Sequence, residues 1–244
     1  MRNIKLILEY DGTNFIGWQR QKKGVSIQGE VERVLEKILN HKINLTSSGR
    51  TDAGVHAKEQ AANFKTFSLI PALKIKKALN SLLSQDIRID KIEDTSLDFN
   101  ARFCVKRKIY KYYIYSGEYV SPFMFRYVWH LPYKLNYPVM LKEVKSLLGK
   151  HDFIKFQAKG STVKNTRRHI YRADLKKKGC LYEFKIEGDG FLYKMVRLIV
   201  GTLAEVGRGK FEEGRIELLL RRIKGVKRGP AAPPEGLFLW KAVY

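Results

Sequence analysis

Of the residues that could carry chemistry, the run Ser47-Ser48-Gly49-Arg50-Thr51-Asp52-Ala53-Gly54-Val55-His56-Ala57 is the most informative. Gly49 and Gly54 flank an Arg-Thr-Asp core, and glycines let a backbone turn tightly and approach a ligand. An aspartate on such a loop is presented rather than merely solvated. Arg50, two residues away, favours the ionised form of a partly buried Asp52. A carboxylate held charged out of water serves as a base or a nucleophile. A bare Gly-x-x-Asp-x-Gly is more simply a glycine turn with an aspartate cap, but the full string is far more specific than that pattern.

Other chemistries lack their motifs. Neither Gly149-Lys150 nor Gly209-Lys210 continues to Ser or Thr, so there is no P-loop, and no dinucleotide Gly-x-Gly-x-x-Gly follows a strand. The Cys-x-x-Cys of zinc deaminases is absent. Cys104 and Cys180 make neither a disulfide framework nor a zinc site. His56 has no histidine or cysteine at metal-binding spacing and reads as structural. Asp86, Asp90, Glu93, Asp94 and Asp98 suggest a metal-dependent nuclease, but their spacing fits a strand running into a capped loop better. Asp189, between two glycines, reads as a turn residue.

The charge balance points to a polyanion. There are 47 Lys plus Arg against 24 Asp plus Glu, a formal net charge of +23. Such a field attracts nucleic acid and makes binding salt-sensitive. The basic residues recur in clusters: Arg20, Lys22 and Lys23; Lys74, Lys76 and Lys77; Lys106, Arg107, Lys108 and Lys111; Arg167, Arg168 and Arg172; Lys176 to Lys178; and Arg221, Arg222, Lys224, Lys227 and Arg228. Together they imply a track along phosphates, which fixes position and carries little sequence information. No segment has the ~18 uncharged apolar residues of a membrane span, and nothing resembles a signal peptide. The chain is expected to be cytoplasmic, with no membrane partner.

The elements that must position Asp52 read as α+β. Ile4 to Tyr10 is a strand. Ser26 caps a helix through Leu39, with Ile27, Val31, Val34, Leu35 and Ile38 as its apolar stripe. Ala61 to Phe67 is a strand, with a shorter one near Ile43–Leu45. Pro71 opens a helix continued by Leu73, Ala78, Leu79, Leu82 and Leu83, and Ile87, Ile89 and Ile92 mark another strand. The second half repeats the theme loosely. It has a long strand over Ala101 to Tyr115, a helix over Pro138 to Leu148 and a hairpin of Ile170–Leu175 with Leu181–Ile186. Helices over Met195 to Val206 and Glu212 to Ile223 and a closing strand over Trp240 to Tyr244 complete it. The expected division is 1–116, carrying the Asp loop and the Tyr110 strand, and 117–244.

Seven segments, in order along essentially the whole chain, resemble the TruA family of pseudouridine synthases. They are Tyr10-Asp11-Gly12-Thr13 with Gly17-Trp18-Gln19-Arg20-Gln21; the Gly49–Ala57 string; Phe99-Asn100-Ala101-Arg102-Phe103 with Tyr110-Lys111-Tyr112; Gly190-Phe191-Leu192-Tyr193-Lys194-Met195-Val196-Arg197; and Pro233-Pro234-Glu235-Gly236-Leu237. The resemblance implies two ferredoxin- or RRM-like halves sharing a mostly antiparallel central sheet flanked by helices, with a catalytic cleft between them.

The resemblance also implies roles. Asp52 is the catalytic aspartate, attacking a carbon covalently or removing a ribose proton. Arg197 is the basic residue that pairs with it, in place of an arginine snorkelling from an apolar helix. Tyr110 stacks on the target base, where its plain alternative is a core tyrosine beside Tyr112. Arg50 enters the space left by the flipped nucleotide or simply pairs with Asp52. The implied substrate is uridine in the anticodon stem-loop of tRNA, the enzyme a homodimer, and the reaction free of metal and small-molecule cofactor. A non-catalytic RNA-binding module and a paralogue acting on other RNA positions are the alternatives.

Overall fold

The computed structural model describes residues 1–161 and 163–244. Among the described residues the fold is mixed α+β, with five α-helices and strands paired mostly antiparallel. Close packing divides the chain into two units. The first is Met1–Lys106 with Phe238–Tyr244, and the second is Arg107–Leu237. Where the sequence suggested a division at 116/117, the strand of Tyr110 groups with the second unit and the last strand returns to the first.

The first unit is built on β1 (Arg2–Tyr10), which lies between β3 (His56–Thr66) and β4 (Ile87–Thr95), antiparallel to both. The short β2 (Thr46–Ser47) pairs with β3, close to the strand expected over 43–45. The last strand, β10 (Leu237–Val243), runs parallel to β3 through Phe238 and Leu239. Alternation puts Ile4, Leu6, Leu8 and Tyr10 on the buried face of β1.

Helix α1 (Ile27–Leu39) begins where expected, with Ser26 Oγ accepting from the Gly29 N–H, and it buries Ile27, Val31, Val34 and Leu35. Helix α2 (Ala72–Leu82) follows Pro71 as its cap, and of the expected residues Leu79 and the following Leu83 are buried, with Ile75 added. Ile75 and Leu79 are inside, while Leu73 is 68% exposed. Ile75 and Leu79 are one turn apart on one face, and Leu73 points elsewhere. Lys74, Lys76 and Lys77 around Ile75 mask that periodicity in the sequence.

The second unit is an antiparallel run in the order β5 (Arg107–Tyr115), β9 (Leu181–Gly188), β8 (Arg167–Lys178), β7 (Gly149–Asp152). The expected hairpin is present, with Lys178 paired to Leu181 across Gly179-Cys180. Strand β5 is shorter than expected because Asn100 closes a turn. Its Oδ1 accepts from the N–H of Arg102 at 3.0 Å, and its carbonyl accepts from Cys104 at 2.9 Å. The two-residue β6 (Trp129–His130) pairs parallel with β5.

Helix α3 (Tyr137–Lys145) packs on α4 (Met195–Gly207), which is buried on nearly every face, as its all-round apolar sequence requires. Helix α5 (Arg215–Leu220) keeps only six of the residues expected over 212–223. No helix among the described residues is long and apolar enough to cross a membrane.

Candidate active site

Asp52 sits on a loop clamped from several sides. Upstream, Gln60 of β3 holds the loop's entrance. Its Nε2 donates to the Gly49 carbonyl at 2.7 Å, and its Oε1 accepts from Ser48 Oγ at 2.5 Å. Thr51 is buried, with Oγ1 2.8 Å from the Tyr10 hydroxyl and its carbonyl accepting from the Trp18 N–H at 3.1 Å. Downstream, the Val55 N–H donates to the Asp52 carbonyl at 3.2 Å, closing a turn in which Gly54 takes φ +75°.

Close backbone approach explains the glycines of the opening motif. A Cβ on Gly17, which has φ +102°, would lie 2.5 Å from the Thr51 oxygen, and one on Gly12 would lie 2.1 Å from the Val55 oxygen. The segments 10–13 and 17–18 therefore lie directly against the loop, and only glycine fits at both contacts. Asp52 itself is half-buried at the head of this braced turn. A carboxylate so held is pre-positioned, so little ordering remains at the moment of reaction.

Arg50 is exposed. Its guanidinium is thus presented to solvent beside the carboxylate loop. His56 is buried and braces the same loop from below. The Gly12 N–H lies 3.0 Å from its Nδ1. Asp11 Oδ1 is 3.1 Å from the same nitrogen and also accepts from the N–H and hydroxyl of Thr13. The ring stacks on Phe238 at 4.7 Å.

In the second unit, Tyr110 and Tyr112 share the buried face of β5. Tyr112 is a core residue. Its hydroxyl donates to the Pro233 carbonyl at 2.7 Å, and burial, reinforced by Glu235, pushes its ionisation well above the usual range, against the pull of Arg197. The phenol therefore stays protonated. Tyr110, two residues earlier, meets Phe191 edge-on at 5.0 Å. The base-stacking candidate thus touches the motif that leads into α4.

Arg197 lies in the first turn of α4. Its Nε donates to the Ala232 carbonyl at 2.7 Å, and the Ala232 N–H returns to the Arg197 carbonyl at 2.9 Å. The approach of segment 229–232 to α4 requires glycine, since a Cβ on Gly201 would lie 1.8 Å from the Pro230 oxygen. Arg197 is therefore held by backbone and not left to snorkel.

The five carboxylates that suggested a nuclease do not converge. Glu93 pairs with Lys5, and Asp94 forms a two-pronged bridge with Arg2. Among the described residues no three His, Cys, Asp or Glu side chains are placed to hold a metal ion. Asp189 is a turn residue, its Oδ1 accepting from the His169 N–H at 3.0 Å.

Two features of the site went unread in the sequence. The contact of Tyr10 and Gly17 with Thr51 joins segments some forty residues apart, and no periodicity reveals it. Glu32 is buried in α1 although it is charged. Its spacing of four from Gln28 was the available signal, because the two lie on one helix face.

The chain matches the profile of a family described as tRNA pseudouridine synthase over residues 6–104 and 144–244. A protein of Thermoanaerobacter sp. (strain X514) named tRNA pseudouridine synthase A is 44% identical over 244 residues, with both chains covered completely. One of the same name from Acetivibrio thermocellus is 42% identical, and tRNA pseudouridine synthase A 2 of Clostridium perfringens is 44% identical, again at full coverage of both chains. With its clamped aspartate loop and its full-length likeness to these proteins, the chain belongs to the tRNA pseudouridine synthase family.

Proposed function

We propose that this protein converts uridine to pseudouridine in the anticodon arm of tRNA, in the cytoplasm and as a homodimer. Asp52 is the catalytic carboxylate and Arg197 the basic residue that pairs with it. Tyr110 stacks on the target base, and Arg50 fills the space that the flipped nucleotide leaves. The observation that carries this reading is the braced, half-buried Asp52 on the family's most specific string.

The chemistry balances without a co-reactant. The bond from ribose C1′ to uracil N1 breaks, the base turns, and C1′ bonds to C5. The C5 proton leaves to water and N1 gains one, so product and substrate are isomers. Whether the carboxylate attacks a carbon or takes a ribose proton, it must be ionised beside the sugar. Neither route reaches its atoms while the uridine is stacked in a helix, which makes base flipping part of the reaction.

Mapping pseudouridine in tRNA transcripts by carbodiimide modification and primer extension tests the substrate. Signals confined to the anticodon arm are expected; signals only elsewhere would make the protein a synthase for another position. Stacking on the flipped base gives a second expectation. Tyr110→Phe keeps a ring and most of the activity, whereas Tyr110→Ala loses about 1–3 kcal/mol in kcat/KM. Equal rates in single-turnover assays of the two variants would remove Tyr110 from the site. Sedimentation at micromolar concentration is expected to give the dimer.

A further inference from the structure

One basic residue is built differently from the rest of the cationic surface. Arg20 follows the braced Gly17-Trp18 segment, and its stem lies across the first turn of α1. A Cβ on Gly29 would meet Arg20 Cγ at 3.5 Å and Cδ at 3.9 Å. Its Nε is 3.0 Å from Glu32 Oε2. That contact is an ion pair held by charge, because the oxygen makes no aligned hydrogen bond. The Glu32 side chain is 3% exposed, the Arg20 side chain 53%.

Glu32 is itself fixed by a polar network. Its Oε1 accepts from the Leu45 N–H at 2.8 Å and from Gln28 Nε2 at 3.0 Å. Gln28 Oε1 in turn accepts from Gln19 Nε2 at 2.8 Å and from the Arg20 N–H at 3.2 Å. A buried carboxylate is costly unless paired. Arg20 meets that need through its Nε, and its two terminal nitrogens make no hydrogen bond to protein among the described residues. The N-terminus of α1 offers an anion nothing. The N–H groups of Ile27, Gln28, Gly29 and Glu30 are taken by Gly17, Trp18 and Ser26. The donors left without a hydrogen bond at this spot are the terminal nitrogens of a half-exposed guanidinium, a planar fork that matches phosphate oxygens.

We propose that Arg20 is a specific phosphate contact for the tRNA backbone and that Glu32 is the positioning residue that aims it. This rests on the tRNA reading above. Neighbouring Lys22 and Lys23 are exposed and unaligned, and they supply diffuse attraction that salt screens. Arg20 is held in place before the RNA arrives, so it loses less side-chain freedom on binding.

The test measures binding of an unmodified tRNA transcript across a salt series for wild type, Arg20→Ala, Arg20→Lys, Glu32→Gln and the double variant Arg20→Ala/Glu32→Gln. Arg20→Ala is expected to weaken binding about tenfold at low salt. It should flatten the slope of log K against log salt by about one. Arg20→Lys keeps the slope but not the affinity. Glu32→Gln weakens binding only when Arg20 is present, with no further loss in the Arg20→Ala background.

An unchanged slope and affinity in Arg20→Ala would overturn the contact. Equal losses from Glu32→Gln with and without Arg20 would reduce Glu32 to a structural role and overturn the positioning. If Arg20→Ala leaves the buried charge uncompensated and does not fold, the double variant, which removes both charges, carries the slope test. Pseudouridine formation by wild type, run in parallel, separates the two ideas. Its absence sinks the tRNA reading, whereas the slope comparison judges Arg20 alone.

Discussion

Asp52→Asn is expected to bind tRNA about as well as wild type and to form pseudouridine at least about 10³-fold more slowly, an effect of the size that a positioned base or nucleophile contributes. The amide has the shape of the carboxylate but no charge, so it can neither attack carbon nor take a proton. The loop itself should survive the change. Thr51 is anchored by Tyr10 and Trp18, Gly54 bonds to the Phe15 carbonyl, and none of these contacts uses the Asp52 side chain. Unchanged melting together with lost single-turnover rate would therefore locate the defect in chemistry. A rate within tenfold of wild type would remove Asp52 from the reaction.

The second large effect concerns stability and reaches Arg197, a residue of the site proposed above. Gly201→Ala places a methyl 1.8 Å from the Pro230 carbonyl oxygen. Both partners are backbone, so no rotamer relieves the collision and segment 229–232 must move away from α4. The helix gains about 1 kcal/mol of intrinsic propensity from alanine, but overpacking of this kind costs about 1–3 kcal/mol and occasionally more. A severe backbone overlap belongs at the upper end, so the collision wins.

The same displacement breaks a row of bonds. The Ala232 N–H donates to the Arg197 carbonyl, Arg197 Nε donates to the Ala232 carbonyl, and the Gly229 N–H donates to Thr202 Oγ1 at 3.0 Å. A fall in melting temperature of roughly 4–10 °C is expected. A larger loss of kcat than of tRNA affinity should accompany it, because Arg197 loses its backbone anchor. Wild-type melting and activity would show that segment 229–232 does not hold Arg197 in place.

What could be read in the sequence follows from where the determinants lie. Helix α1 announces itself by a local signal, Ser26 followed by apolar residues at helical spacing, and it starts where that signal puts it. The β8–β9 hairpin and the apolar α4 are local in the same sense. In helix α2 Leu79 was legible, but Ile75 was missed because it is interleaved with lysines, while the exposed Leu73 mimics a core residue. The long strand over 101–115 failed at Asn100, whose side chain offers the backbone a turn in place of a ladder.

At the site the contiguous string around Asp52 was legible, because glycine and aspartate declare a presented loop. Its bracing was not. Gly12, Gly17 and Tyr10 act through contacts with residues some forty positions away. Glu32 was invisible to any search for apolar periodicity, since its burial depends on Arg20, Gln28 and the Leu45 N–H together.

The most direct test of the central claim is release of tritium to water from tRNA labelled at uridine C5, with wild-type protein in excess EDTA and no added metal or nucleotide. Forming the C1′–C5 bond expels the label, so one tritium should be released for each pseudouridine found by nucleoside analysis. Stoichiometric release is the predicted result. Binding of the tRNA by folded protein with neither release nor pseudouridine would contradict the assignment and leave an RNA-binding protein in its place.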